Sequence, residues 1–489
     1  MNRASYFTLL FLLSAAGIST AGLAATAVAD ERPNIIFLLS DDQATYSMGC
    51  YGTPGAKTPN LDQLAAEGMI FDRHYDTTAI CMASRATVMT GMLEYKTGTN
   101  FDHGPMKRST WVNTYPMLLR KAGYRTAFAG KFGFLVKDGK EKPRLPKDDF
   151  DNWGGGPSQT SYVTKQNASM KKYAKEYPHS TRSYGAFGRD FVKESAAGDK
   201  PFCLSISFKA PHHPVQPDPL DDDVYKGVKF TKPDNYGRQN GEHFSLQSRE
   251  GRQYERFHSW DYADDYNTVM AKYYQQIYAI DVAVGMIRKA VADAGVKKKT
   301  VIIYTSDNGF MNGSHGYGSK VIPYEESTRV PMIIFDPRHE HSGQGLRCDA
   351  LTGNVDFQPT ILKLAGLPVS DNIDGQDLMQ LYDDPDAAIH ESLPLINVWG
   401  PKKVHSFGVV TKQWKYIYWP YDEGEFARTE ELYDVANDRG EMKNLAAVTT
   451  ATTELKEMRT RYDNAVKHWK ENAVPYNNYQ PFGKIFARQ

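Results

Sequence analysis

Hydrophobic runs of strand length alternate with helical patterns over most of the chain. The strand-like runs are residues 34–39, 124–128, 201–208, 300–305 and 330–335. Apolar positions recur at helical spacing in residues 60–67, 116–122, 271–294 and 358–365. Strands that alternate with helices in this way form a sheet with helices on both faces. The pattern therefore predicts an α/β fold with a large mixed central sheet flanked by helices.

The pattern changes after about residue 380. Short runs at 407–410, 416–419 and 432–434 predict antiparallel strands, and residues 453–469 predict a helix. We therefore expect a large domain over residues 30–380 and a small α+β C-terminal subdomain over residues 381–489. Two long segments of the large domain, residues 137–182 and 212–265, are predicted to be loops that carry function or cover a site.

Residues 1–29 have the pattern of a secretory signal peptide. Arg3 precedes an apolar run at residues 6–13, and Ala27-Val28-Ala29 forms a candidate cleavage site. An uncleaved N-terminal anchor is the alternative, but the run is short for a bilayer span. No later stretch is long and apolar enough to cross a membrane. We therefore expect an exported protein, periplasmic or secreted, without stable membrane insertion.

The composition argues against two classes of protein. The 489 residues include 58 Lys+Arg and 58 Asp+Glu, so the formal net charge is zero. Because nucleic-acid-binding proteins usually carry a net basic face, we expect no nucleic-acid partner. The four cysteines are too few for a disulfide scaffold in a chain of this length.

Acidic residues follow two of the predicted strands directly. Asp41 and Asp42 come after the run at 34–39, and Asp307 and Asn308 come after the run at 300–305. In an open α/β sheet, ligands bind at the carboxyl ends of the strands, so the two clusters can converge. Three carboxylates and one amide oxygen are suited to Ca²⁺ or Mg²⁺. On its own, the Asp41-Asp42 pair would also fit a helix cap or a turn.

A cysteine stands at the entry of another predicted helix. The sequence Cys81-Met82-Ala83-Ser84-Arg85 leads into a helix-compatible stretch. A cysteine at a helix entry, near an arginine, lies in positive potential, and an anion would be attracted there too. Alone, this short pattern also fits a packed, inert cysteine.

Several motifs together resemble one enzyme family. Besides the two acidic clusters and the Cys81 motif, they are Gly130-Lys131, Pro211-His212, Ser306-Asp307-Asn308-Gly309 and Lys320. In this order, over residues 32–446, the set resembles the type I, formylglycine-dependent sulfatases of the alkaline-phosphatase superfamily. The resemblance implies an alkaline-phosphatase-like fold and makes residues 30–380 the catalytic sulfatase domain.

The resemblance also implies a covalent mechanism at Cys81. A formylglycine-generating maturation enzyme would convert this cysteine to formylglycine, an aldehyde whose hydrate is a geminal diol. One hydroxyl would attack sulfur and displace the alcohol. Loss of the proton from the second hydroxyl would then expel sulfate and restore the aldehyde.

Individual roles carry over from the family to matching positions. The residues implied to hold a divalent ion, usually Ca²⁺ with Mg²⁺ as an alternative, are Asp41, Asp42, Asp307, Asn308 and the modified Cys81. Arg85 would orient the modified residue, and Lys131 and Lys320 would neutralise the sulfate oxygens. His212 would donate a proton to the leaving oxygen.

The sequence departs from the family at two positions. The family usually has Lys-x-His, but Gly133 stands where that histidine is expected. His213 and His315 are candidate substrate-binding residues, and either of them or a residue from a long loop could take over its role. Both could equally be plain hydrogen-bonded histidines, and without a substitute the release of sulfate would be slow. Ala83 replaces the commoner proline of the modification motif, which raises the question of which maturation enzymes accept it.

The predicted activity is hydrolysis of a sulfate ester on a carbohydrate, because exported sulfatases most often meet sulfated glycans. Aromatic residues between 252 and 267, and Trp153, are candidates for stacking on sugar rings, although aromatic stretches are more often core. A phosphodiester or phosphonate hydrolase of the same superfamily is the nearest alternative. A sulfated-glycan-binding protein without turnover is the third hypothesis, since the histidine after Lys131 is absent.

Overall fold

The computed structural model describes Met1 and residues 31–488, so the predicted signal peptide lies, except for Met1, outside the described residues. The strands are β1 (Asn34–Ser40), β2 (Met69–Phe71), β3 (His74–Tyr75), β4 (Met106–Lys107), β5 (Arg125–Lys131), β6 (Val136–Lys137), β7 (Asn152–Gly156), β8 (Phe202–Ser207), β9 (Thr300–Ser306), β10 (Met332–Phe335), β11 (Leu346–Cys348), β12 (Thr352–Gly353), β13 (Leu393–Asn397), β14 (Ser406–Val410), β15 (Trp414–Trp419) and β16 (Thr429–Asp434). The α-helices are α1 (Pro59–Glu67), α2 (Cys81–Thr90), α3 (Glu94–Thr97), α4 (Arg108–Trp111), α5 (Tyr115–Lys121), α6 (Ser180–Ala196), α7 (Arg252–Ser259), α8 (Tyr266–Asp293), α9 (Glu325–Thr328), α10 (Phe357–Leu364), α11 (Gln380–Asp383), α12 (Thr452–Asn472) and α13 (Phe482–Ile485).

Eight strands form the central sheet in the order β11-β2-β10-β9-β1-β8-β5-β7. β1 is parallel to both of its neighbours, with Ile35 opposite Cys203 and Val301. β10 runs antiparallel to β9 and β2, which makes the sheet mixed. This confirms the predicted fold class. The central parallel strands are buried on both faces, which explains why they appear in the sequence as continuous apolar runs.

Alternate residues of β1 enter two separate cores. Ile36 and Leu38 belong to the core that packs against α1, α6 and α8. Ile35, Phe37 and Leu39 belong to the core that packs against α2, α5 and α10. Successive side chains of a strand point to opposite faces, so one strand supplies both layers. The helices therefore cover both faces of the sheet, as expected.

Regular secondary structure lies within or beside both predicted loops. The first segment, 137–182, contains β7 and leads into α6 at Ser180. Three successive glycines conceal β7 in the sequence, because glycine has low strand propensity. A Cβ at Gly154 would lie 2.8 Å from Met170 Sδ and 2.9 Å from Ala129 Cβ, so close packing requires glycine there. The second segment, 212–265, contains only α7 and short 3₁₀ turns.

The C-terminal part contains a four-stranded antiparallel sheet in the order β13-β14-β15-β16. The three predicted strands and the predicted helix, now α12, are confirmed, and β13 is additional. Its core includes Tyr75, Phe244 and Tyr324 from earlier in the chain. Buried Lys415 on β15 forms ion pairs with Glu325 and Glu441, each at 2.8 Å. The domain boundary at residue 380 stays a prediction.

The described residues contain neither a membrane-spanning helix nor a disulfide. Among residues 31–488, no helix combines the length and the apolar character needed to cross a bilayer. All four cysteines lie in this range and are unpaired thiols.

Candidate active site

Carboxylates from two neighbouring strands meet at one edge of the central sheet. Asp41 and Asp42 follow β1, and Asp307 follows β9, whose pairing with β1 continues to Ser40 and Ser306. The backbone N–H of Asp42 donates to Oδ1 of Asp307 over 3.2 Å. All three side chains are at most 2% exposed. The structure thus brings together the two acidic clusters that are more than 260 residues apart in sequence.

The same edge offers oxygen atoms suited to a divalent ion. Asn308 donates from Nδ2 to Oδ1 of Asp42 over 2.8 Å, while its own Oδ1 is buried without a hydrogen-bond partner among the described residues. Asp41, Asp42, Cys81 and His212 each offer one ligand atom, and these atoms lie within 4.8 Å of one another. Carboxylate and amide oxygens are preferred by Ca²⁺ and Mg²⁺. The unpaired Asn308 oxygen beside carboxylates therefore fits such an ion.

Three buried cationic side chains pair with the three carboxylates. The ion pairs are Lys131 with Asp41, Lys320 with Asp42, and Arg85 with Asp307. The nitrogen–oxygen distances are 2.5 Å for the first pair and 2.8 Å for the third. Burial alone would raise the pKa of the Asp41 carboxyl, but Lys131 and other nearby cations hold it below its usual value. Lys320 likewise opposes the effect of burial on Asp42 and holds its pKa below the usual value, so Asp41 and Asp42 stay charged although they are buried.

Arg85 joins the helix that carries Cys81 to the sheet. Besides Asp307, its guanidinium donates to the carbonyl oxygen of Lys131 over 2.8 Å and to the hydroxyl of Ser207. Since Arg85 is only 1% exposed, these contacts fix the position of α2 relative to β5 and β8. Ser207 is a site residue that sequence analysis missed, because a serine at the end of a strand has no distinctive pattern.

Cys81 is the first residue of α2 and is 1% exposed. Its Sγ lies 3.4 Å from Oδ1 of Asp41 and 2.7 Å from Nζ of Lys320. Burial, followed by the charges of Asp307 and Asp41, raises the pKa of this thiol to about 12. The positive potential expected at the helix entry is therefore outweighed, and the thiol is neutral at neutral pH.

His212 follows β8 and faces the carboxylates. Its Nδ1 lies 2.5 Å from the carbonyl oxygen of His213, so Nδ1 carries the proton that is donated there. Nε2 lies 3.8 Å from Oδ2 of Asp42. Burial lowers the pKa of His212 although Asp42 and Asp41 oppose the shift. The contact to His213 leaves Nε2 as the nitrogen available to a ligand.

A cavity of about 460 Å³ opens onto this cluster. Its lining includes Asp42, Cys81, His212, His213 and Lys320. The half-buried His213 ring stacks on Trp260 with a centroid distance of 3.7 Å. The further lining residues are Ile80, Phe101, Gln159, Pro214, Arg252, Arg256, Trp260, Ser319 and Trp399.

His315 lies outside this lining, contrary to the expectation that it contacts substrate. Its ring is fully buried and packs 4.3 Å from the ring of Phe244. Nδ1 lies 2.7 Å from the carbonyl oxygen of Asn240, and Nε2 lies 3.0 Å from Nδ2 of Asn235. Because protein atoms engage both ring nitrogens, His315 supports the loop that precedes Lys320.

The aromatic candidates also separate into two groups. Trp260 lines the cavity, whereas Phe257, Tyr262 and Tyr266 belong to a buried core and Trp153 packs against Phe128. Most of the remaining lining residues were missed, because segments distant in sequence supply them. The sequence does contain a pattern that could have identified Arg252 and Arg256 as site residues, since these two arginines stand four residues apart in one predicted loop.

Comparison with known proteins identifies the family. Residues 33–367 match the family model described as sulfatase, and residues 313–468 match that of the C-terminal region of N-sulphoglucosamine sulphohydrolase. The chain is 29% identical to an N-acetylglucosamine-6-O-sulfatase of Bacteroides thetaiotaomicron, and the match covers 90% of this chain and 88% of that protein.

Solved structures share the fold. One protein, bound to its substrate D-glucosamine-2-N,6-O-disulfate, is 25% identical with a TM-score of 0.74, over 91% of this chain and 99% of that chain. A phosphonate monoester hydrolase of Agrobacterium radiobacter is 19% identical with a TM-score of 0.71, over 88% of this chain and 94% of that chain. Since the sulfatase model spans more than half of the sequence, including the motifs from Asp41 to Lys320, this chain belongs to the sulfatase family of sulfuric ester hydrolases.

Proposed function

We propose that this sulfatase removes sulfate from a sulfated carbohydrate, with residue 81 as the nucleophile after conversion to formylglycine. The observation that carries the proposal is a single cavity lined by Cys81, Asp42, His212 and Lys320. Its volume of about 460 Å³ lies in the range of pockets for small organic ligands. A relative named for N-acetylglucosamine sulfate and a structural neighbour bound to a glucosamine disulfate support a sugar substrate.

A divalent ion belongs to the proposal. The residues proposed to hold Ca²⁺, with Mg²⁺ as the alternative, are Asp41, Asp42, Asp307, Asn308 and the modified Cys81. Such an ion supplies Lewis-acid polarisation of the nucleophile and of a sulfate oxygen. Three cationic side chains already pair with the three carboxylates, so the ion's charge would leave the site net positive. A positive site attracts an anionic sulfate ester.

The remaining residues would position and neutralise the reacting group. As a hydrated formylglycine, residue 81 would supply a geminal diol for attack on sulfur. Arg85 would hold the start of α2 through Asp307, and Lys131 and Lys320 would bind sulfate oxygens. The distance of 2.7 Å from Lys320 Nζ to Cys81 Sγ supports a role directly beside the nucleophile.

His212 would donate the proton that the leaving oxygen needs. The His213 carbonyl engages Nδ1, so Nε2 would be the donating atom. A bound sulfate adds negative charge, which favours the protonated ring despite its burial. His213, stacked on Trp260 within the cavity lining, would contact the sugar.

Maturation and location complete the proposal. A formylglycine-generating enzyme would act on the sequence from Cys81 to Arg85, and the mature protein would work outside the cytoplasm as a periplasmic or secreted enzyme. We also propose residues 30–380 as the catalytic domain and 381–489 as the C-terminal subdomain.

The first test compares esters and removes the nucleophile. We expect a higher kcat/KM for 4-nitrophenyl sulfate than for the matching phosphate and phosphonate esters. Cys81→Ala should abolish hydrolysis and keep the thermal melting of the wild type within a few degrees, because only Sγ is removed. Circular dichroism serves as the control for folding.

Three outcomes would contradict the proposal. Full activity of Cys81→Ala would exclude residue 81 as the nucleophile. Preference for the phosphodiester or phosphonate would favour the alternative hydrolase, whose fold the Agrobacterium enzyme shares. Binding of a sulfated glycan without sulfate release, despite formylglycine at position 81, would favour a binding protein.

The proton-donor role of His212 predicts a dependence on the leaving group. His212→Gln should slow the release of sulfate from sugars by about 10²–10⁴-fold, because an alkoxide leaves poorly without a proton. Hydrolysis of 4-nitrophenyl sulfate should slow far less, since nitrophenolate needs no proton to leave. The measurement is kcat/KM across a series of leaving groups, with the exposed His258→Gln as the control. An equal fall in kcat/KM of His212→Gln on all substrates would exclude His212 as the proton donor.

The structure also provides a reason for the absent histidine. Gly133 has a φ of +94°, and a Cβ there would lie 2.4 Å from Cδ of Arg85. Any side chain at this position would therefore displace Arg85 from Asp307 and Ser207. In this site, glycine at position 133 and the observed placement of Arg85 depend on each other.

We therefore expect Gly133→His to lower kcat and the melting temperature instead of restoring a catalytic group. Gly139→His is the matched control, because Gly139 also has a positive φ of +51° but no atom lies within 4 Å of its Cβ position. The free energy of unfolding of the control should fall only by the backbone cost of a left-handed non-glycine residue, about 1–2 kcal/mol, and its activity should be unchanged. Faster turnover by Gly133→His would show that the site accommodates the family histidine.

A further inference from the structure

Two arginines at the cavity lie four residues apart on one short helix. Arg252 and Arg256 belong to α7, and both line the cavity that contains Cys81. Positions i and i+4 share a helix face, and like charges there repel each other. The arrangement therefore weakens the helix unless an anion lies between or beside the two guanidinium groups.

No carboxylate of the described chain forms an ion pair with either arginine. Arg256 donates to Oγ of Ser319 over 2.8 Å, a neutral partner. Asp42 and Glu255 are near enough to favour its charge, but neither forms an ion pair with it. Glu255, next to it in sequence, is exposed and takes part in no ion pair among residues 31–488. Burial and the neighbouring Arg252 lower the pKa of Arg256 to about 10. The pair thus lacks the acidic partner that buried or crowded arginines usually have.

Aromatic rings hold both guanidinium groups at the cavity. The Arg256 guanidinium lies 4.0 Å from the ring centre of Trp260, and that of Arg252 lies 4.5 Å from the ring centre of Trp399. Stacking restricts a guanidinium without using its N–H donors in the ring plane. Apart from the Arg256 N–H that donates to Ser319, these donors remain available to a planar or tetrahedral anion, which arginine binds with two parallel hydrogen bonds.

The two arginines are separate from the groups that would bind the scissile sulfate. Lys131, Lys320 and Arg85 each pair with a carboxylate beside Cys81. Arg252 and Arg256 come from a different segment and reach the same cavity from its α7 side. One ligand could therefore place its sulfate ester at residue 81 and a second anionic group at the arginine pair.

We propose that Arg252 and Arg256 bind a second anionic group of the substrate, so that the enzyme prefers sugars carrying another sulfate or a uronic-acid carboxylate near the scissile sulfate. This inference rests on the proposed function. It adds a substrate class, the polyanionic glycans, to the activity. Both sources of the second anion offer oxygen atoms that suit the guanidinium fork, and the test separates them.

The test uses three substrates and two readouts. The substrates are N-acetylglucosamine 6-sulfate, D-glucosamine-2-N,6-O-disulfate and a disaccharide of a uronic acid with N-acetylglucosamine 6-sulfate. The first readout is kcat/KM for sulfate release. The second is the binding affinity of the Cys81→Ala variant by calorimetry, which requires no turnover. The variants are Arg252→Met, Arg256→Met and the double substitution, with Arg144→Met as the control.

We expect the wild type to prefer at least one substrate with a second anion by about tenfold, as one charge-assisted hydrogen bond contributes on this scale. Each arginine variant should lower that preference, and the double variant should remove it. The preference should also decline with added salt, because the arginine pair is partly open to solvent. The exposed Arg144→Met, which changes charge equally outside the cavity, should keep the preference.

The inference would be overturned if the arginine variants lost kcat/KM equally on the mono- and dianionic substrates. It would also be overturned if the wild type showed no preference for a substrate with a second anion. A preference for the disulfate alone would assign the subsite to sulfate, and a preference for the uronate alone would assign it to carboxylate. If formylglycine is present and no substrate releases sulfate, the proposed function fails. The binding preference of Cys81→Ala would still decide whether the arginine pair recognises a second anion.

Discussion

Burial of charge at the carboxyl edge of β1 and β9 is the constraint on which the site depends. Asp41, Asp42 and Asp307 are at most 2% exposed, and an unpaired buried carboxylate costs several kcal/mol. Each is therefore matched by a cation from another part of the chain. These pairs place α2, the end of β5 and the loop of Lys320 around one point.

The same constraint explains local backbone features that look unfavourable in isolation. The loop that delivers Lys320 has positive φ values of 76° at Ser319 and 92° at Val321. A β-branched residue rarely adopts such a conformation, and strain of this kind persists where surrounding contacts hold it. Gly133 shows the converse case, since its missing side chain leaves the room that Arg85 requires.

Much of the fold and of the charged cluster could be predicted from the sequence. β1 and β9 are buried on both faces and therefore appear as continuous apolar runs. Asp41 and Asp307 directly follow parallel neighbours, so their meeting follows from strand polarity alone. Cys81 and Lys131 stand at the ends of regular elements too, and their positions relative to the sheet follow from the same pattern.

What could not be predicted depends on contacts between distant segments. The cavity wall combines Phe101, Gln159, Arg256 and Trp399, and no local period relates these four positions. The triple-glycine strand β7 was concealed because glycine has low strand propensity. Its glycines are required by side chains from other segments that pack closely against the strand. His315 shows the opposite error, since proximity in sequence to Lys320 suggested a pocket residue where the structure has a buried, hydrogen-bonded ring.

The chemical identity of residue 81 decides whether the site can hydrolyse a sulfate ester. Peptide mass spectrometry across Cys81–Arg85, on protein purified from its native host, measures that identity. We predict formylglycine at position 81, in a motif that carries Ala83. An unmodified thiol in fully exported protein would contradict it, because a thiol has no geminal diol with which to attack sulfur and then expel sulfate, and the binding-protein hypothesis would be favoured.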